Sequence, residues 1–406
     1  MEAAAGIARS PAAASPLALT NIRLADGSGP FTVRLRDGSV AEIVRDAEPS
    51  DRDIASLDGR GGVVLPRFVD AHMHLDKTLM GEPWIPLPEA PTLRDRIATA
   101  EEILLHRATR TIKERAEILA RSALAYGTLA LRSHADVTPG LELRSVEALL
   151  ELRQELTGLL DIQVVAFPQS GVLTPGVTEL LEEALRLGAD VLGGLDPAGH
   201  DGDAETALRM LFGLARRHDV PLDIHLHDHG QLGLSELDRI AALTEAEGWG
   251  GRVAVSHAFA LGDLEEPAVR RTLERLARSG VAIITAATGH IPIPRASDLW
   301  AAGVTLGIGS DNVHDGWAPY GRGDVLEKAF LFAYRNGLRT DPDLRRALDA
   351  ITRVNAGILG LPAATVAPGA PADLVIVDAE NSAEAVAAHP PRIAVIRAGR
   401  VVHAAR

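Results

Sequence analysis

An α/β fold, a (β/α)8 barrel of the TIM type with a small β-sandwich beside it, is what this sequence predicts, on three observations. Eight short apolar segments alternate with longer stretches of helical periodicity. A polar residue with useful chemistry stands near the C-terminal end of seven of the eight: His72 and His74, His134, Gln169, Asp196, His225, His257 and Asp311. The two flanks of the chain are instead made of short alternating runs separated by turn residues. Eight β-then-α units favour a closed barrel over an open sheet, and in such a barrel the C-terminal strand ends all open onto one catalytic face.

In chain order, residues 1–16, MEAAAGIARSPAAASP, are small and interrupted by proline. They lack the basic start and continuous apolar stretch of a secretory signal, so they are expected to form a disordered leader. Residues 17–64 contain LALTNIRLADGSG and FTVRLRDGSVAEIV, hairpin-like runs with turn signals at DGSG and RDGS, expected as the first part of the sandwich. Residues 366–406 have the same texture (PADLVIVDAEN, RIAVIRAGRVVHAA) and are expected as its second part.

The catalytic barrel is expected over 65–365. Its candidate strands are 63–75, 128–137, 161–169, 190–197, 221–229, 252–260, 281–287 and 304–312. Among the stretches between them, 114–127, 177–190 and 266–280 have helical periodicity and end near Gly, where a helix C-terminus is expected.

The 406-residue chain has a formal net charge of −14, which argues against a nucleic-acid partner, since such proteins concentrate Lys and Arg. No apolar run approaches the length of a membrane span. The chain has no cysteine, which removes disulfides, thiol nucleophiles and thiolate metal sites together. Any metal must be held by imidazole and carboxylate. A cytoplasmic location is expected, and a homo-oligomer is left open.

His72 and His74 in HMH are two residues apart at the end of an apolar run, so in a strand both leave the same face. A metal needs further ligands. His225, His257 and Asp311 stand at the ends of later strands, and with the pair they can build a mononuclear site for one divalent ion, Zn2+ or Fe2+. At this point the sequence resembles the amidohydrolase superfamily, and within it the cytosine deaminase subgroup. The matching stretches are HMHLDKT (72–78), FPQSGVL (167–173), EEALRLGADVLGG (182–194), DIHLHD (223–228), VSHAFALG (255–262) and GSDNVHDGWAPYG (309–321).

The resemblance implies His72, His74, His225 and Asp311 as metal ligands. It implies His257 as the histidine that hydrogen-bonds the attacking water, and Asp311 also as the carboxylate that takes its proton. Gln169 matches the glutamine that reads the amide edge of a pyrimidine. In the subgroup a Glu three residues after the strand-5 histidine delivers a proton to the ring; here Asp228 stands there, one methylene shorter. Asn312 replaces an Asp in the pocket floor. His227 and His229 compete with His225 as ligands on alternation alone. Should Asp228 be structural, the shuttle is to be sought at His227 or Asp196, although Asp196 is equally explained as a turn residue before Pro.

His134 and Asp136 are expected to support the site, and Lys77 to pair with a carboxylate. Trp317 and Trp84 are expected as pocket walls or packing. The implied function is hydrolytic deamination of a small amino-substituted heterocycle, cytosine or a related pyrimidine, by metal-activated water with release of ammonia. The alternatives are release of an alkylamine from an aminotriazine-type ring, a cyclic amidase, and a barrel that binds without turnover. The cyclic amidase needs a bridging lysine near the end of strand 4, and DVLGGLDPAGH has none.

Overall fold

The computed structural model describes residues 15–45, 54–265, 268–287, 289 and 291–405. Most of the expected leader, 1–14, lies outside them. Sixteen strands are described. Four form one sheet in the order β3-β2-β1-β4: β1 (Leu17–Ile22), β2 (Phe31–Arg36), β3 (Ser39–Arg45) and β4 (Ala55–Asp58). A second sheet pairs β5 (Val63–Pro66) with strands from the far end of the chain, β14 (Leu374–Val377), β15 (Arg392–Arg397) and β16 (Arg400–Ala404). Leu19, Ile22, Val33 and Leu35 meet Val64, Leu374, Ile376 and Ile396 in one buried cluster, so the two sheets make the sandwich the flanks predicted.

Between them runs an eight-stranded parallel sheet in strict chain order: β6 (Phe68–Met73), β7 (Thr128–Asp136), β8 (Asp161–Phe167), β9 (Val191–Leu195), β10 (Leu222–Leu226), β11 (Val253–His257), β12 (Ala282–Thr285) and β13 (Leu306–Ile308). The first expected strand, 63–75, is divided by the structure at Pro66 and Arg67. Proline has no N–H for a ladder, and Arg67 is held by the Asp373 backbone oxygen at 2.9 Å and carboxylate at 3.0 Å. The chain therefore passes there from the sandwich to the barrel.

The seam between β6 and β13 is nearly closed, and side chains do much of the stitching. Met73 and Asp311 form a single parallel bridge. The fully buried Asn355 donates to Val69 O (2.7 Å) and Ile308 O (2.6 Å), and its own oxygen accepts from Ile308 N (3.2 Å). Asp70 accepts from the backbone N–H of both His72 (3.1 Å) and Ser310 (3.0 Å).

Helices cover the outside of the barrel. The helix Ile112–Ala125 starts at a capping box: Thr111 Oγ1 accepts from Glu114 N, and Glu114 returns a carboxylate to Thr111 N at 2.8 Å. Its Ala116, Leu119, Ala120 and Ala123 face the core; truncating Leu119 to Ala at such a site costs about 2–5 kcal/mol. Val177–Leu187 and Ala268–Ser279 fall where helical periodicity predicted them. Absent from those expectations is Leu93–Glu102, on the long excursion after β6; it packs Ile97 against Phe167 and Leu195 and covers one side of the catalytic face.

Candidate metal centre and active-site cavity

His72 and His74 leave the end of β6 on the same side, as period-two alternation requires. His225 lies in β10, His257 ends β11, and Asp311 follows β13. The backbone carries Asp311 there through its N–H, which donates to His72 O at 2.8 Å. Both His257 (φ 71°) and Asp311 (φ 58°) adopt left-handed conformations, strain of about 1–3 kcal/mol each that surrounding structure must hold and that gathers at functional sites.

The donor atoms converge. Asp311 Oδ1 is 3.4 Å from the Nε2 atoms of both His72 and His74, and His74 Nε2 is 3.4 Å from His225 Nε2. His72 Nε2 is buried without a hydrogen-bond partner. Imidazole lone pairs aimed at one another and at a carboxylate in a dry site suit a divalent cation, so this donor set fits the metal predicted from the sequence. The same residues fall into two overlapping groups of ligand atoms, His72–His74–His134–His225 and His72–His257–Asp311.

Supporting contacts fix the first candidate ligand. His72 Nδ1 lies 2.8 Å from Ser256 Oγ, which donates to Asp223 (2.8 Å), itself paired with Arg132 (2.8 Å). Such outer contacts set the tautomer and orientation of a ligating imidazole. Burial alone would raise the Asp223 pKa, but His134 and Arg132 outweigh it and hold the carboxyl ionised. His134 itself is fully buried, 3.8 Å from Asp223, and burial lowers its pKa to about 4. Expected only as support, it also presents a nitrogen within reach of the ligand atoms.

Burial lowers His74, His225 and His257 well below the usual imidazole value, leaving them neutral at pH 7. It pushes Asp311 the other way, yet His257, with His72 and His74 close beside the carboxylate, prevails and holds Asp311 well below the usual carboxylate range. Neutral imidazoles with one ionised carboxylate are the protonation states a metal requires.

A cavity of about 960 Å3 opens over this centre and is lined by Asp228, His257, Asp311, Asn312 and Trp317 among others. Asp228 lies two residues beyond β10, where its carboxylate accepts from Gly199 N at 2.7 Å. Asn312 donates to Asp315 at 2.7 Å. Gln169 is buried but is not among the lining residues; its side-chain oxygen accepts from Lys77 Nζ at 2.7 Å. Lys77 pairs with Asp136 at 2.9 Å and sits 5.7 Å over the rings of both Phe167 and Trp317. Trp84 is not a wall of the cavity: it is 65% exposed, against His314. It follows a Pro in a segment without regular structure, so no strand or helix turns it inward.

Two features of the cavity wall were legible only in part or not at all. Asp196 reaches the cavity, with a φ of 34°, and accepts from His227 Nδ1 at 2.8 Å. Burial opposes a charge on His227, but Asp196 outweighs it and raises the pKa; the ring stacks on His257 at 4.5 Å. The alternation in HLHDH was the available signal. Lys328, also on the cavity wall, gave none in the sequence; burial lowers its pKa.

Comparison with known proteins supports the family and the fold. The amidohydrolase family profile matches residues 93–404. The chain is 33% identical to N-isopropylammelide isopropyl amidohydrolase of Pseudomonas sp. (strain ADP), over 95% of this chain and 96% of the relative. Among solved structures, N-isopropylammelide isopropylaminohydrolase from Burkholderia multivorans is 40% identical with a TM-score of 0.88, covering 95% of this chain and 98% of that one. A 5-methylcytosine deaminase from Klebsiella pneumoniae liganded with 5-fluorocytosine is 29% identical with a TM-score of 0.83, covering 96% and 98%.

Proposed function

The chain belongs to the amidohydrolase family, and from that premise we propose that it hydrolyses the exocyclic carbon–nitrogen bond of an amino-substituted, nitrogen-rich six-membered ring, releasing the amine. The observation that carries the proposal is the convergence of His72, His74, His225 and Asp311 on one buried point beside the cavity that Asp311 lines. Those four side chains would hold one divalent ion. When bound, such an ion supplies Lewis acidity that makes water a competent nucleophile near neutral pH.

The protein's own groups do the rest. His257, neutral and beside Asp311, hydrogen-bonds the attacking water and fixes its approach. Asp311, held ionised, takes the water's proton. Asp228, on the cavity wall, gives a proton to the ring nitrogen as the carbon–oxygen bond forms. The proton taken by Asp311 passes to the exocyclic nitrogen, so that the carbon–nitrogen bond breaks with a neutral amine leaving, and the hydroxyl proton goes to solvent as the ring carbonyl forms. A carbon–oxygen bond replaces the carbon–nitrogen bond, and the ring stays closed. His227, backed by Asp196, is the second candidate for the proton delivery; its ion pair on the same wall is what favours it.

Between the two substrate classes drawn from the sequence, an N-alkylated aminotriazine such as N-isopropylammelide comes first and cytosine second. Two relatives named for that compound align over at least 95% of both chains, with identities of 33% and 40%, against 29% for the 5-methylcytosine deaminase. Asp228 in place of the longer acid agrees with a ring other than cytosine. The test is a panel of alkylaminotriazines, aminopyrimidines and pterins with separate assays for alkylamine and ammonia. Isopropylamine released from N-isopropylammelide supports the first reading, and ammonia from cytosine alone moves the assignment to the second. A ring-opened product, or no turnover of any compound by metal-loaded protein, contradicts both.

A further inference from the structure

Glu236 lies in the helix Gly230–Glu247 with 1% of its surface exposed, a position where a carboxylate is rare without a partner. Its Oε1 accepts the Ala198 N–H at 2.7 Å, and Asp228 Oδ2 accepts the neighbouring Gly199 N–H at 2.7 Å. Two consecutive amides in the turn after β9 thus clamp two carboxyl groups side by side. The clamp needs glycine: a Cβ on Gly199 would come within 2.0 Å of Asp228 Oδ1. Glu236 Oε2 is buried with no hydrogen-bond partner, and the charged group that acts on it most strongly is the Asp228 carboxyl held on the next amide. Two ionised carboxylates repel at this range, whereas a carboxylic acid and a carboxylate share a hydrogen bond.

We propose that Asp228 and Glu236 hold one proton between them at neutral pH, with Glu236 as the positioning residue that keeps this proton available to the cavity through Asp228. The inference rests on Asp228 being the proton donor of the proposed reaction. The other charged groups facing the pair are Asp196, from the end of β9, and His227, which is ion-paired with Asp196 and faces Asp228. Burial, reinforced by the Asp228 carboxylate and its hydrogen bond, pushes the Glu236 carboxyl up to about 9. For donation the shared proton moves from Glu236 onto Asp228, and the Asp228 O–H bond then breaks as an N–H bond forms on the substrate. Both carboxylates are then ionised, and their repulsion drives recovery of a proton from solvent before the next turnover.

The test compares wild type, Glu236→Gln and Asp228→Asn by the pH profile of kcat for isopropylamine release from N-isopropylammelide. It adds the infrared band of a protonated carboxyl at pH 7 and thermal unfolding as a check on folding. The wild-type profile is expected to fall on an alkaline limb near pH 9. In Glu236→Gln that limb should move by roughly 2 pH units or more toward acid, because the raised Glu236 carboxyl that sets it is gone. KM should change little, and the infrared band should weaken in both variants even where they fold as wild type does. An unshifted limb and band in Glu236→Gln, with Asp228→Asn inactive, overturns this inference and leaves the donor assignment standing. Full turnover in Asp228→Asn overturns the donor assignment itself, and with it the catalytic use of the pair. A wild type without the band overturns the shared proton whatever the kinetics.

Discussion

The proposed reaction gives Asp311 two duties at the candidate metal centre, and they separate on mutation. Asn at that position keeps a carbonyl oxygen within 3.4 Å of the His72 and His74 nitrogens, but it cannot take a proton. Asp311→Asn is therefore expected to lose about 10^2–10^4 in kcat while the protein stays folded; steady-state rates beside thermal unfolding check it, and a variant with half of wild-type turnover contradicts it. Elemental analysis is expected to find one divalent ion per wild-type chain and a large loss in a His72→Ala, His74→Ala double variant.

His134 gives a pH prediction. Its folded pKa, about 4, lies below the ordinary 6.5, so between these values the unfolded chain binds a proton that the folded one refuses. The stabilisation from a neutral His134 is present above pH 6.5 and lost as pH falls toward 4. Asp136, raised to about 7, and Asp315, raised to about 6, chiefly by burial, tilt total stability the opposite way, so the His134 contribution must be read as a difference. In metal-free protein, wild type should lose stability relative to His134→Gln as pH drops from 6.5 to 4; a difference flat across that range contradicts it.

That His72, His74, His225, His257 and Asp311 come together was legible because each stands at or near a strand end in a fold where strand ends converge. Glu236 was not, because a helix position says nothing of the loop it meets.

At the scale of elements, the strands were visible as short apolar runs, while the junction at Pro66 and Arg67 was not. Continuous apolar character reads the same whether a strand serves one sheet or is divided between two. The helix Leu93–Glu102 was hidden for a related reason: it belongs to a long connection, where the regular β-then-α rhythm gives no expectation. The weakest pairing of the barrel, β6 with β13, depends on Asn355. Asn355→Ala leaves the Val69 and Ile308 backbone groups without their partner in a dry interior. The expected cost is about 2–4 kcal/mol of stability, read from denaturant unfolding. A loss under about 0.5 kcal/mol would mean that the seam closes without it.

Across the whole molecule, the sandwich and the barrel are joined by buried charge as well as by strand continuity. Arg392 of β15 pairs with Asp324, which caps the barrel helix Val325–Arg335, and donates to Tyr126 O at 2.9 Å. Arg392→Ala strands a buried carboxylate and is expected to cost about 3–5 kcal/mol. The texture of the two flanks predicted the sandwich, since alternating runs with turn signals are a local property. The partner of Arg392 lies 68 residues away in sequence and could not be read locally.

The central claim is that one metal-holding centre substitutes water for an amine on an intact ring. It is tested most directly by turning over N-isopropylammelide in heavy-oxygen water and analysing both products by mass spectrometry, with and without chelation. The expected result is one heavy oxygen in the closed-ring product for each isopropylamine released, abolished by the chelator and by the His72→Ala, His74→Ala double variant. Amine release that survives removal of the metal, or heavy oxygen found only in a ring-opened product, would contradict it.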